Sequence, residues 1–311
     1  MPRERERPVR SSPLAANPRL ICYNLSPMPS TLLNLSRSLA DIPLVCFDTE
    51  TTGASAAMGD RVIELGMVRL EAGQVVAEMS QLINPCRPLP TNITYITGIT
   101  ADMLVGRPRF SHILPDVLHM LDGAVLLGHN IPFDLSFLAR EFQAAGLAIE
   151  QILPDAIVAD TLRLARRRFG RGGNSLPVLA QRLGVVVDTS HRALADARTT
   201  LGVLDCLLEP LGGWQIPLAS LLEAQGGSCS IKPAKQSPLP LELQEALDQA
   251  APVIMEYMDA DANLSQRTIL PRYIRQNNGQ LLLVAWCELR QAERTFRLDR
   301  IVRLRRQGDI A

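Results

Sequence analysis

The sequence predicts an α/β domain followed by a small β-rich domain. Three observations carry this. Short apolar runs, too brief for helices, alternate with stretches whose apolar residues recur at helical spacing. Glycines and prolines break the pattern from about residue 210. Beyond residue 250, extended runs with two-residue alternation follow one another. A length of 311 residues suits roughly two domains. The divisions read as a loose tail (1–28), a first domain (29–209), a linker (210–240) and a second domain (241–311).

The tail is rich in proline and arginine and has no apolar period. Leu32, Leu33, Leu35 and Leu39 predict a short amphipathic helix over 30–40. Leu44 to Phe47 is an apolar run that reads as a buried strand. Residues 61–76 supply two more strands around the turn Glu71-Ala72-Gly73-Gln74, so three antiparallel strands are expected. Ile93, Ile96 and Ile99 predict a helix over 91–100, and another is expected over 116–122. Ala124 to Gly128 is a second buried strand. The helix after it, 135–145, turns Leu135, Phe137, Leu138 and Phe142 inward. A helix over 160–169 carries Arg163, Arg166, Arg167 and Arg168, either a solvated face or a phosphate-facing one. Ser175 to Leu183 is helical with Pro177 in its first turn, and Gly184 ends it. A last helix follows His191 and runs to Leu208.

Inside 210–240 an apolar, helix-like piece spans 216–224. The second domain opens with a helix at Leu241. Strands are expected over 253–257, 267–273, 280–286 and 294–298, with Asn277-Asn278-Gly279 as a hairpin turn.

Composition limits the function. Hydrophobic residues make up 47% of the chain, ample for packed cores, and the formal net charge is zero. Any surface for nucleic acid must therefore be local. The six cysteines are scattered without a Cys-x-x-Cys pair, so neither zinc nor a disulfide framework is indicated. No apolar run reaches the ~18 residues of a membrane span, and the start of the chain does not read as a secretory signal. A cytoplasmic protein is expected.

The candidate chemistry sits in three separated segments. Asp48 and Glu50 follow the first apolar strand. Residues i and i+2 of a strand share a face, so two carboxylates project together about 5–7 Å apart. Half-buried like charges repel and are costly to desolvate. A hard divalent cation, Mg²⁺ or Mn²⁺, removes that cost. Thr51, Thr52 and Gly53 then leave the strand in a turn of small residues. Asp134 opens a helix directly after the second strand, where an acid also serves as an ordinary cap. Asp196 lies in an Ala/Leu-rich first turn, five residues after His191. Phosphodiester hydrolysis needs an activated water, charge relief at phosphorus and a stabilised leaving oxygen, which two metal ions supply. Asp48, Glu50, Asp134 and Asp196 match their charge, and His191 suits a general base near neutral pH.

Phe47-Asp48-Thr49-Glu50-Thr51-Thr52-Gly53, His129-Asn130-Ile131-Pro132-Phe133-Asp134 and His191-x-Ala193-x-x-Asp196-Ala197-x-x-Thr200 occur in this order. The sequence thereby resembles the histidine subgroup of the DEDD exonuclease superfamily, of the type found in bacterial DNA polymerase III epsilon subunits. Asn92-Ile93-Thr94-x-x-Thr97-Gly98-Ile99-Thr100, Asp160-Thr161-Leu162-x-Leu164-Ala165-Arg166 and Asn174-Ser175-Leu176 agree with it. The likeness spans roughly residues 44–209. It implies an RNase H-like α/β fold with a mixed five-stranded sheet flanked by helices. It also implies 3′-to-5′ removal of nucleoside monophosphates from single-stranded or frayed DNA 3′ ends with two Mg²⁺ or Mn²⁺ ions. Asp48 would bridge both ions, Glu50 and Asp196 would complete one site, and Asp134 would support the other. Thr51, Thr97, Ile99, Asn130 and Phe133 would contact the terminal nucleotide.

Glu256-Tyr257, Arg267-Thr268-Ile269-x-Pro271 and Thr295-Phe296-Arg297-Leu298-Asp299-Arg300-Ile301 resemble the WYL domain, which implies an Sm-like β-barrel. Leu281-Leu282-Leu283 stands where Trp-Tyr-Leu is expected. Residues 290–306 hold seven arginines against Glu293 and Asp299, either guarded strand edges or a nucleic-acid surface. On the second reading Arg297 and Arg300 are the binding candidates. Three alternatives stay open: an exoribonuclease, a catalytically silent nucleic-acid-binding module, and a partner of a polymerase or another repair protein.

Overall fold

The computed structural model describes residues 34–187, 191–231, 239–277 and 280–306. The first domain begins with β1 (Leu44–Thr51) and the hairpin β2 (Val62–Glu71) and β3 (Gln74–Leu82). Three helices follow: α1 (Thr91–Thr97), α2 (Ala101–Leu104) and α3 (Phe110–Leu121). Next come β4 (Val125–Gly128), α4 (Pro132–Ala144), α5 (Ile149–Ile152) and β5 (Val158–Asp160). The domain closes with α6 (Thr161–Phe169), α7 (Leu176–Leu183), α8 (Ala193–Leu208) and α9 (Leu218–Gln225). The sheet order is β3-β2-β1-β4-β5. β1 pairs antiparallel with β2 and parallel with β4, which is parallel to β5. This is the mixed five-stranded sheet of an RNase H-like fold.

The central strand is apolar on both sides because both sides are covered. Val45, Phe47 and Met67 pack with α3 and α4. Leu44, Cys46 and Val68 pack with α6, α7, α8 and α9. The β2–β3 turn places Ala72 and Gly73 both at positive φ, 49° and 70°, as the twist of a two-residue hairpin loop requires.

The second domain is α10 (Leu241–Gln249) on a five-stranded antiparallel sheet. Its strands are β6 (Val253–Met258), β7 (Leu264–Asn277), β8 (Gln280–Cys287), β9 (Ala292–Arg297) and β10 (Ile301–Arg306), in the order β10-β6-β7-β8-β9. Leu243 and Ala246 of α10 fill its core against Val253, Met255, Ile269 and Leu283. The two domains are in contact. β10 packs against α1, and Arg166 of α6 reaches the buried Glu245 of α10 at 3.1 Å.

Several expectations change. Of residues 210–240, read as linker, 210–231 mostly complete the first domain, and 232–238 lie outside the described residues. Ile216, Leu218 and Leu221 are buried in its core, and the Gln225 side chain accepts from Asp160 N–H and donates to Val158 O. Apolar α9 covers a sheet face that would otherwise meet water. The helix expected over 116–122 starts at Phe110, carrying Pro115 in its interior. The described part of 30–40 is a single 3-10 turn, Leu39–Asp41. A fifth strand, β10, emerges from the arginine-rich end of the chain, whose charges had masked its alternation. Of the arginine cluster, Arg163 bonds Cys229 Sγ and Gly226 O, and Arg168 bonds Cys206 O, so these two serve packing. The tail and the hairpin residues Asn278 and Gly279 lie outside the described residues. Among the described residues no helix is long and apolar enough to cross a membrane.

Candidate active site

β1 ends with Asp48 and Glu50 half-buried on one face, opposite Gly66 and Glu64 of β2. Asp134 enters from the first turn of α4, which β4 delivers alongside β1. One of its oxygens accepts from the Thr49 N–H (3.0 Å) and the Thr49 hydroxyl (2.6 Å), and the side chain is buried. Asp196 enters from the first turn of α8, where its Oδ2 accepts the His191 N–H at 3.0 Å. His191 itself sits at φ 62°, a left-handed conformation that turns the chain just before the helix. Glu50, His191 and Asp196 each offer a ligand atom within 4.8 Å of the others. Asp48 lines the same small cavity as these three.

The acids crowd one another. Burial first, then Asp134, Asp196 and Glu50, push the Asp48 carboxyl well above its usual range. Burial, Asp196 and Glu64 do the same to Glu50. Asp134 rises to about 7 through burial, against the opposing bonds from Thr49. Asp196 rises to about 6, again through burial first. Such a set holds protons unless a cation replaces them, and its hard oxygen donors fit a divalent ion such as Mg²⁺ or Mn²⁺. His191 moves the other way: burial and then the Arg303 guanidinium lower its pKa, so the imidazole is neutral near pH 7.

The other motif histidine has a different task. His129 lies between the Thr161 hydroxyl (2.9 Å) and Asn174 O (2.8 Å). A carbonyl only accepts, so Nε2 carries the proton and Nδ1 accepts from Thr161. Burial lowers its pKa to about 4. It ties the end of β4 to α6 and the loop before α7. Asp160 likewise works through the backbone, accepting from Asn130 N–H and Leu162 N–H, both at 2.9 Å.

A cavity of about 1070 Å³ adjoins the acids. Thr51, Thr97, Asn130, Phe133 and His191 line it from the first domain. The Thr51 hydroxyl donates to Gly53 O at 2.6 Å and holds the turn closed. Thr97 faces inward, donating to Ile93 O and accepting from Ile99 N–H. Ile99, expected beside the terminal nucleotide, does not line this cavity. It is fully buried with Ile63 of β2, Ile93 and Leu104, after the left-handed Gly98 turns the chain. Ile93, Tyr95 and Ile96 face the cavity from this segment instead. Arg297 and Arg300 do not line the cavity either: Arg297 pairs with Asp299 at 2.5 Å, and Arg300 sits beside Asp259. The cavity is reached from the second domain by Leu281, Leu298, Arg303 and Arg305 among others.

Two residues escaped the sequence reading. Glu64 is 1% exposed, bound by Arg192 (2.7 Å) and by Ala193 N–H (3.1 Å), so β2 caps α8. An acid inside the apolar run of β2 was the available signal. Gly66 lies where any β-carbon would collide with the backbone of Ala193 and Leu194.

The family model described as Exonuclease (RNase_T) matches residues 45–204, and the WYL domain model matches residues 239–306. The chain is 38% identical over 178 residues to the 3′-5′ exonuclease DinG of Bacillus subtilis (strain 168), covering 57% of this chain and 18% of DinG. It is 38% identical over 170 residues to the DNA polymerase III subunit epsilon of Treponema pallidum (strain Nichols), covering 54% of this chain and 77% of that subunit. The chain thus spans under a fifth of the first relative and about three quarters of the second. Among solved structures, it is similar to Exonuclease X in complex with 5′ overhanging duplex DNA (25% identity, 57% of this chain and 99% of that one, TM-score 0.43). It is also similar to the nuclease domain of 3′hExo bound to rAMP (18% identity, 57% and 95%, TM-score 0.48). The extent of the family match, together with the coverage of the epsilon subunit, makes this chain a member of the exonuclease family that carries a WYL domain after its nuclease domain.

Proposed function

We propose that the protein is a metal-dependent 3′–5′ exonuclease that shortens DNA from its 3′ end and releases nucleoside monophosphates. The observation that carries this reading is the meeting of Glu50, His191 and Asp196 within 4.8 Å, with Asp48 in the same cavity. Asp48, Glu50 and Asp196 would hold the cations, and Asp134 supports them from behind. Two bound divalent ions would lower the pKa of the attacking water and stabilise the leaving oxygen.

The remaining work belongs to the chain. His191, neutral near pH 7, accepts the proton of the attacking water. Its backbone bond to Asp196 keeps base and ligand in register. Thr51 and Gly53 form a tight turn that lets a strand end approach. Phe133 and Tyr95 line the larger cavity and offer faces on which terminal bases stack. DNA is favoured over RNA because the Treponema pallidum relative, 38% identical, is a DNA polymerase III subunit.

The test compares matched 5′-labelled DNA and RNA single strands with Mg²⁺ or Mn²⁺. Stepwise shortening of DNA, stopped by EDTA and abolished by Asp48→Ala in a folded protein, is the expected result. Equal cleavage by Asp48→Ala and the unaltered chain would sink the assignment. Faster shortening of RNA would replace DNA as the substrate.

A further inference from the structure

β10 turns its charged face toward the nuclease domain. Leu304 points into the core of the second domain opposite Met255. By strand alternation Arg303 and Arg305 share the other face. A bulge between Ile301 and Arg303 resets the register just before them. Bulges re-aim side chains in this way and often lie beside active sites.

Three arginines line the larger cavity: Arg87, Arg303 and Arg305. Arg87 pairs with Asp60 at 3.2 Å, and Arg305 with Glu256 at 3.4 Å. Arg303 is exposed and has no ion-pair partner among the described residues. Among the described arginines lining this cavity, it is the one without an ion pair. Arg303 and His191 line the same cavity. Yet Arg303 does not line the smaller cavity that holds Asp48 and Asp196. It lines the larger cavity, which shares Glu50 and His191 with the smaller one.

We propose that Arg303 contacts the phosphate next upstream of the scissile one, so that the two domains share a single substrate site. This rests on the nuclease reading above. A polyanion approaching a cluster of carboxylates needs fixed positive charge along its path. Neither Arg297 nor Arg300 supplies it there. The contact also gives the second domain a direct part in holding the substrate strand.

The 311-residue chain and its Arg303→Glu and Arg303→Lys variants are assayed with Mn²⁺ on a single-stranded 12-mer and on a dinucleotide. The dinucleotide has no phosphate upstream of its scissile bond. Arg303→Glu is expected to raise KM for the 12-mer about tenfold or more, since one charge-assisted contact is lost. kcat should change much less. The KM rise should be smaller on the dinucleotide, and Arg303→Lys should recover part of the loss. The slope of log KM against log salt on the 12-mer should shrink by about 0.7, the value for one phosphate on a single strand. A KM within twofold of the unaltered protein, with an unchanged salt slope, overturns the inference. So does an equal KM rise on both substrates. No cleavage of either substrate by the unaltered protein sinks the nuclease reading itself.

Discussion

The backbone nitrogen of Leu194 passes directly over Gly66, with no room between them for a side chain. Gly66 faces Asp48 across the β1–β2 ladder, and Leu194 lies in the first turn of α8, two residues before Asp196. The glycine therefore sets how closely one acid approaches the other. Gly66→Ala should push α8 outward. Overpacking of this kind costs about 1–3 kcal/mol, and a clash with backbone belongs at the upper end. The expected outcome is a lowered Tm and a loss of nuclease activity larger than the loss of stability explains. An alanine variant with normal activity would show that α8 can shift without harm to the site.

Glu64 and Arg192 secure the same helix by charge. Glu64 is buried, accepts the Ala193 N–H at the start of α8, and is neutralised by Arg192. A carboxylate there also suits the helix dipole. Arg192→Ala leaves the carboxylate uncompensated. Losing one partner of a fully buried pair costs about 3–5 kcal/mol. The Arg192 side chain is 41% exposed, so water softens the loss to about 1–3 kcal/mol. Adding Glu64→Gln to that variant should restore part of the stability. Denaturant unfolding of the two single variants and the double variant measures the coupling, and strict additivity would argue against it.

Thr49→Val tests the support behind Asp134. The variant keeps the Thr49 N–H bond but removes the hydroxyl that donates at 2.6 Å. That bond opposes the rise in the Asp134 pKa, so its loss makes the ionised carboxylate harder to form. Residues that orient metal ligands typically change metal affinity 10–100-fold. A Mn²⁺ titration should show weaker binding in that range, with a modest fall in Tm. Unchanged Mn²⁺ affinity would remove Asp134 from the metal set.

Stability of the metal-free protein should depend on pH in an unusual direction. Asp134 and Asp196 have folded pKa values of about 7 and about 6, and Asp160 about 6, all raised by burial. Asp48 and Glu50 are raised as well. Between about pH 4 and 7 the folded chain therefore binds more protons than the unfolded one, and stability falls as pH rises through that window. Each unbalanced proton is worth ~1.4 kcal/mol per pH unit. His129 and His191, both lowered, act oppositely, removing stability as pH falls below about 6.5. Five acids outnumber two histidines. With EDTA, Tm should be higher at pH 5 than at pH 7.5, and Mn²⁺ should erase most of the difference. A chelated Tm that climbs toward pH 7.5 would contradict the crowded-acid picture.

Local order along the chain was readable from residue types alone. The apolar run before Asp48, the i and i+2 spacing of Asp48 and Glu50, the Ala72-Gly73 turn and the Gly184 stop each depend on near neighbours. Backbone sterics and side-chain periodicity act over a few residues, so they leave a mark in any short window. Gly66 and Arg303 left no such mark, and Glu64 left only an acid inside an apolar run. Glu64 resembles a solvated acid until the ladder sets it beside Glu50 and α8 lands on it. Gly66 resembles a flexible spot until Leu194 arrives from more than a hundred residues away. Residues 210–231 resemble a linker until α9 covers the sheet, and Arg303 resembles one more edge arginine until β10 meets the nuclease domain. Such pairings come from close packing between distant segments, and the folded chain alone brings those segments together.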